Sequence, residues 1–87
     1  MPYVYILRCA DDSFYVGKTD DLRTRLDVHQ SGIGAKFTAA RRPVTMVYAE
    51  EHSTERSAES RELQLKRWSR AKKQALIEGN LSSLKRL

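Results

Sequence analysis

A chain of 87 residues has room for one modest core and no second domain, because at this size only about 60–70% of the unfolded surface is buried on folding. The 40% apolar and 31% charged content excludes a disordered chain, and the apolar run Val4–Leu7 falls far short of the ~20 residues that a membrane-spanning helix needs. The net charge of +5 is unevenly placed: residues 1–60 carry 8 Lys and Arg against 9 Asp and Glu, a net −1, whereas residues 61–87 carry 8 against 2, a net +6, which suits a polyanion such as nucleic acid as well as it suits a solvated helix surface.

Tyr3–Cys9 is predicted to be a strand, rich in Tyr, Val and Ile and free of breakers. Its apolar residues do not alternate with polar ones, so both faces are expected to be covered. Ala10–Ser13 has turn composition, and Phe14–Gly17 is a second strand, so the chain opens with a hairpin. Thr19 and Asp20 are N-cap candidates for a helix in which Leu22, Leu26 and His29 recur at helical spacing through Gln30. Ser31–Pro43, with Gly32, Gly34 and Pro43, is expected to be mostly loop. Val44–Glu50 is a third strand. Ser53 or Thr54 opens a second helix with Ala58, Glu62 and Leu65 on one side. Ser69 caps a third helix, Arg70–Glu78, which Gly79 ends. The order β-β-α-β-α-α implies an α/β fold of the α+β type, a three-stranded antiparallel sheet flanked by helices.

One constellation carries chemistry. Tyr5 and Tyr15 lie on the paired strands, and Lys18 follows Tyr15 by three residues. Arg23 and Arg25 lie on the first helix, with His29 one turn beyond Arg25 on the same face. Glu62 supplies a carboxylate on the next helix. Taken singly, each has an ordinary structural reading: strand tyrosines pack, helix arginines are solvated, and the single cysteine, Cys9, is a small buried hydrophobe that excludes a disulfide framework and a Cys-rich zinc site. The joint spacing is the signal.

Tyr3-Val4-Tyr5, followed by Tyr15-Val16-Gly17, resembles the paired motif of the GIY-YIG endonuclease superfamily. Arg25, ten residues after Tyr15, and Glu62, in an Ala58-x-x-x-Glu62 setting, match two further features of that family. Lys18 is similar to the lysine after this motif in the incision nuclease of bacterial nucleotide excision repair, and His29 stands where relatives carry His or Tyr. Gly34–Thr38, Arg41–Val44 and Leu65–Lys73 resemble the small stand-alone bacterial subfamily. Tyr3 departs from the first motif's glycine, and Val16 replaces an isoleucine.

The resemblance implies a nuclease-like domain over residues 1–79 and a basic C-terminal tail over 80–87. It also implies a metal-dependent DNA endonuclease, with DNA repair or mobile-element processing as its setting. A lone carboxylate such as Glu62 suits one Mg²⁺ or Mn²⁺, which takes its other oxygens from water and substrate phosphate. Arg25 suits bidentate contact with phosphate, and Lys18 adds a cation. The implied base is a tyrosine: Tyr5 is taken as base and Tyr15 as positioning group, with the exchanged roles open, and His29 orients a tyrosine or the phosphate. Arg23, Lys66, Arg67, Arg70, Lys72 and Lys73 are the candidates for backbone contacts, which give affinity without sequence information. RNA in place of DNA, a non-cleaving nucleic-acid-binding module, and a nuclease directed by a targeting protein are the alternatives. Without a basic segment and long apolar run after Met1, no secretory signal is expected, and the expected location is cytoplasmic.

Overall fold

The computed structural model describes residues 1–79; the expected tail over 80–87 lies outside the described residues. The elements are β1 (Tyr3–Arg8), β2 (Phe14–Thr19), α1 (Leu22–Ser31), α2 (Lys36–Ala39), β3 (Thr45–Glu51), α3 (Glu55–Arg67) and α4 (Arg70–Ile77). The three strands form one antiparallel sheet in the order β2-β1-β3.

As the central strand, β1 is covered on both faces, which is why its sequence does not alternate. Alternate residues nevertheless point to opposite sides. Val4 and Ile6, with Val16 of β2, pack against Ala58 and Leu65 of α3 and Leu76 of α4. Tyr5, Leu7 and Cys9 pack on the other side with Val44, against Tyr15, Leu22 and Leu26. The sheet is therefore the middle layer between α3 and α4 on one side and α1 on the other. Trp68 packs against the first of these cores, with Arg61 and Lys72 over its ring.

The helix starts have local causes. Asp21, rather than Thr19 or Asp20, caps α1, its carboxylate accepting from the Thr24 amide at 3.1 Å. β2 runs on through Lys18 and Thr19, and the Thr19 hydroxyl is used to accept from the Asp21 amide. Thr54 caps α3 and Ser69 caps α4 through the amides of Ser57 and Lys72. Gly32 ends α1 at φ 88°, a left-handed conformation that costs a glycine little.

One departure from the sequence expectation affects the site. The segment Ser31–Pro43, expected to be mostly loop, contains the single helical turn α2, too short to produce a readable period. β3 is also fastened to α3 by a polar cluster. Glu50 accepts from the Tyr48 hydroxyl at 2.7 Å and from Arg61 Nε at 3.1 Å, and pairs with His52 at 2.5 Å. Burial opposes the charge on Glu50, but these bonds hold its carboxyl below the usual range. Arg61 is therefore occupied inside the fold.

Candidate active site

The sheet register brings the two tyrosines together. Tyr5 is paired with Gly17, and Tyr15 with Leu7. Tyr5 and Tyr15 are thus diagonal neighbours on one face, with ring centroids 6.5 Å apart. Gly17 makes this possible: a Cβ at that position would overlap the Tyr5 phenol. α1 lies over the same face and delivers His29, which is 1% exposed.

Tyr5 and His29 are the head of a buried hydrogen-bond chain. The Tyr5 hydroxyl lies 2.9 Å from His29 Nε2, and His29 Nδ1 lies 2.7 Å from Thr38 Oγ1. The Thr38 hydroxyl donates its proton to the Ala35 carbonyl at 3.1 Å. With the threonine proton on that carbonyl, the hydroxyl oxygen accepts from His29 Nδ1 and Nε2 accepts from Tyr5, a tautomer assigned from the bond network. α2 thus has a function in the architecture: it presents Thr38 to the histidine. Gly34 leaves room for the imidazole, since a Cβ there would lie 2.7 Å from Nδ1.

Burial, then the field of Arg25, lowers the pKa of His29 below its ordinary value, so the ring is neutral near pH 7 and able to accept. Burial raises the pKa of Tyr5, and the charge of Tyr15 adds to this; Arg25 opposes it and Glu62 reinforces it. Tyr5 in the free protein is a proton donor. The charges of Arg25 and Glu62 thus both act on the phenol. Arg25 is exposed on α1. Glu62 is 17% exposed at its side chain and lies 3.6 Å from Lys66.

Lys18 reaches across the groove between β2 and α3 to Glu55, at 2.7 Å, and this bond raises its pKa. The pair is exposed, so the contact is weak and does not lock the ammonium away from another anion. The groove, about 450 Å³, is lined by Lys18, Asp21, Thr24, Arg25, Val28 and Glu55 among others.

Among the described residues, no three His, Cys, Asp or Glu side chains converge as a metal cage. The donor set fits a hard ion held by one carboxylate, as Mg²⁺ is, and not a structural zinc. Glu62 is the carboxylate that shares the field of Tyr5.

The chain matches the model of the GIY-YIG catalytic domain over residues 1–75. It belongs to the GIY-YIG family. Among its GIY-YIG relatives, the UPF0213 protein of Bacillus pumilus is 51% identical over 76 residues, covering 87% of this chain and 78% of that one. UPF0213 protein YazA of Bacillus subtilis is 42% identical over 81 residues, covering 93% and 82%. The solution structure of the UPF0213 protein of Bacillus halodurans is similar at a TM-score of 0.58 and 40% identity, covering 90% of this chain and 84% of that one. The GIY-YIG domain is of nuclease type, and the relatives are a small stand-alone group within it.

Within this GIY-YIG fold, Tyr5, Tyr15 and His29 come together, the charges of Arg25 and Glu62 act on the Tyr5 phenol, and Lys18 lines the groove with Arg25. The expected backbone-binding residues lie around two aromatic side chains, Phe14 and Trp68, apart from Arg23. Lys66 and Lys73 face a pocket beside Tyr15. Arg70 lies over Phe14 and donates to the Asp12 carbonyl, and Lys72 lies over Trp68. Arg67 flanks Leu63 and Trp68, and a helix turns Arg23 away from Arg25 by roughly 200°. The family's first-motif glycine is replaced by Tyr3, whose hydroxyl donates to its cross-strand partner Glu51 at 3.2 Å. Reading the sequence missed Thr38 and Glu55. The segment Gly34–Thr38 is a point of likeness to the small subfamily, but its spacing alone does not connect Thr38 to a histidine nine residues earlier.

Proposed function

We propose that the protein hydrolyses phosphodiester bonds of DNA in a divalent-metal-dependent reaction. The observation that carries this reading is the directed chain from Tyr5 through His29 to Thr38, set beside Arg25 and Glu62. As a water attacks phosphorus, its proton passes to the Tyr5 oxygen, and the Tyr5 proton passes to His29 Nε2. The imidazolium so formed keeps its Nδ1 hydrogen on Thr38. Arg25 holds two phosphate oxygens and stabilises the charge that develops on them. Lys18 exchanges Glu55 for the phosphate. Glu62 would hold Mg²⁺ or Mn²⁺, which when bound polarises the phosphate and neutralises the leaving oxygen.

A second reading exchanges the tyrosines. It is favoured by one observation: Tyr5 is 2% exposed, whereas Tyr15 is half-buried and its hydroxyl makes no hydrogen bond among the described residues. Tyr15 then meets the water, and Tyr5 braces His29.

Incision of supercoiled, branched and single-stranded DNA with Mg²⁺, Mn²⁺ or EDTA tests the activity. Metal-dependent nicking is expected, and no incision of any substrate would overturn the reading in favour of a binding module. The pair Tyr5→Phe and Tyr15→Phe separates the two assignments: the base is the tyrosine whose loss lowers kcat by about a hundredfold or more, and the positioning partner costs less.

A further inference from the structure

Beside Tyr15, on the side away from the Lys18 groove, lies a second recess of about 230 Å³. Its walls are Phe14, Tyr15, Val16 and Phe37, and Lys66 and Lys73 stand at its rim. It is smaller than the about 300–1,000 Å³ of usual ligand pockets, and suits one flat ring system rather than a whole nucleotide.

Three features set it apart from ordinary packing. Phe37 belongs to neither core and is 37% exposed. It stacks on Tyr15 at 6.1 Å and 30°, and the Arg41 guanidinium lies 3.9 Å from its centroid. Lys73 is half-buried and makes no ion pair among the described residues, and burial lowers its pKa. A half-buried ammonium at the rim, free of a carboxylate among the described residues, can meet an external anion. Lys66, at the other side of the rim, reaches Glu62, so the recess adjoins the reacting centre on two sides.

An aromatic slot with cations at its mouth matches a nucleobase joined to its phosphates. Stacking of this kind is open only to a base outside a duplex stack. We propose that this recess takes one unpaired nucleobase of the DNA strand next to the scissile phosphate, with Lys73 on the adjoining phosphate, so that the substrate carries a single-stranded or opened segment. The proposal rests on the nuclease reading and specifies its substrate.

Fluorescence anisotropy in EDTA, where no incision takes place, tests it with three probes: oligothymidylate, an abasic strand of the same length, and a blunt duplex. The wild-type protein is expected to bind oligothymidylate roughly five- to hundred-fold more tightly than the abasic strand, as base stacking gives elsewhere, and the duplex more weakly than oligothymidylate. Phe37→Leu keeps the apolar bulk and removes the ring, so the preference for bases should vanish. Phe37→Tyr should restore it, and Lys73→Ala should weaken oligothymidylate and abasic strands by the same factor. Equal affinity of the unaltered protein for oligothymidylate and abasic strands would overturn the proposal, as would an undiminished preference in Phe37→Leu. Base-selective binding without incision of any DNA would overturn the nuclease reading and leave the recess assigned; metal-dependent incision with base-indifferent binding would do the reverse.

Discussion

Thr38 is a positioning residue in this account. Its hydroxyl lies between the Ala35 carbonyl and His29 Nδ1, and by donating to the carbonyl it sets which nitrogen of His29 carries the hydrogen. Thr38→Val keeps the shape and removes that instruction, leaving the Nδ1 hydrogen buried without a partner. Incision is expected to fall about ten- to hundred-fold, by analogy with groups that orient metal-bound histidines, with the pH profile altered in shape. Thr38→Ser should recover most of the rate and the original profile. A rate unchanged in the valine variant would remove Thr38 from the site.

His29 also links the site to stability. Its pKa is lowered in the folded protein, so the unfolded chain binds the proton more readily. Below the unfolded value of about 6.5, acid then favours unfolding through this group, and the contribution is fully present only above that pH. The Tm should decline as pH falls from 7.5 towards 5, and His29→Asn should flatten that part of the curve. An unchanged slope in the variant would place the titration elsewhere.

Among the elements, β1 and β2 fix the site. Gly17→Ala would drive a methyl group into the Tyr5 phenol, and over-packing of this kind costs about 1–3 kcal/mol. Urea unfolding should show that loss, and incision should fall further than stability alone explains, because the displaced ring is the one bonded to His29. The hairpin, the buried central strand and the Arg25–His29 helix face were legible in the sequence, since each is a local pattern: strand composition, absence of alternation, and i to i+4 spacing. The caps were legible to within a residue. The Asp21 cap was displaced because β2 continues through Lys18 and Thr19, where the apolar pattern has already ended but pairing with Val4 and Tyr3 has not. α2 was not legible, because one turn has no period. Thr38 and Glu55 were missed for a related reason. Their partners lie 9 and 37 residues away, and only the folded sheet brings them together.

For the molecule as far as it is described, the positive charges of residues 61–79 are partly engaged within the fold. Arg61 is paired with Glu50, Arg70 and Lys72 lie over aromatic rings, and Lys66 and Lys73 face the recess beside Tyr15. Among the described residues no helix is long and apolar enough to cross a membrane. The proposed function puts substrate and chemistry on the polar edge of the sheet's α1 face, from Lys18 through Arg25 to Tyr15. The most direct test of that claim compares the wild-type protein and Glu62→Ala on one DNA substrate, measuring incision with Mg²⁺ and binding in EDTA side by side. The account expects incision to be abolished and affinity to stay within about twofold, because the substitution removes the metal's carboxylate and leaves the basic and aromatic surface in place. Incision at the wild-type rate by Glu62→Ala would contradict it.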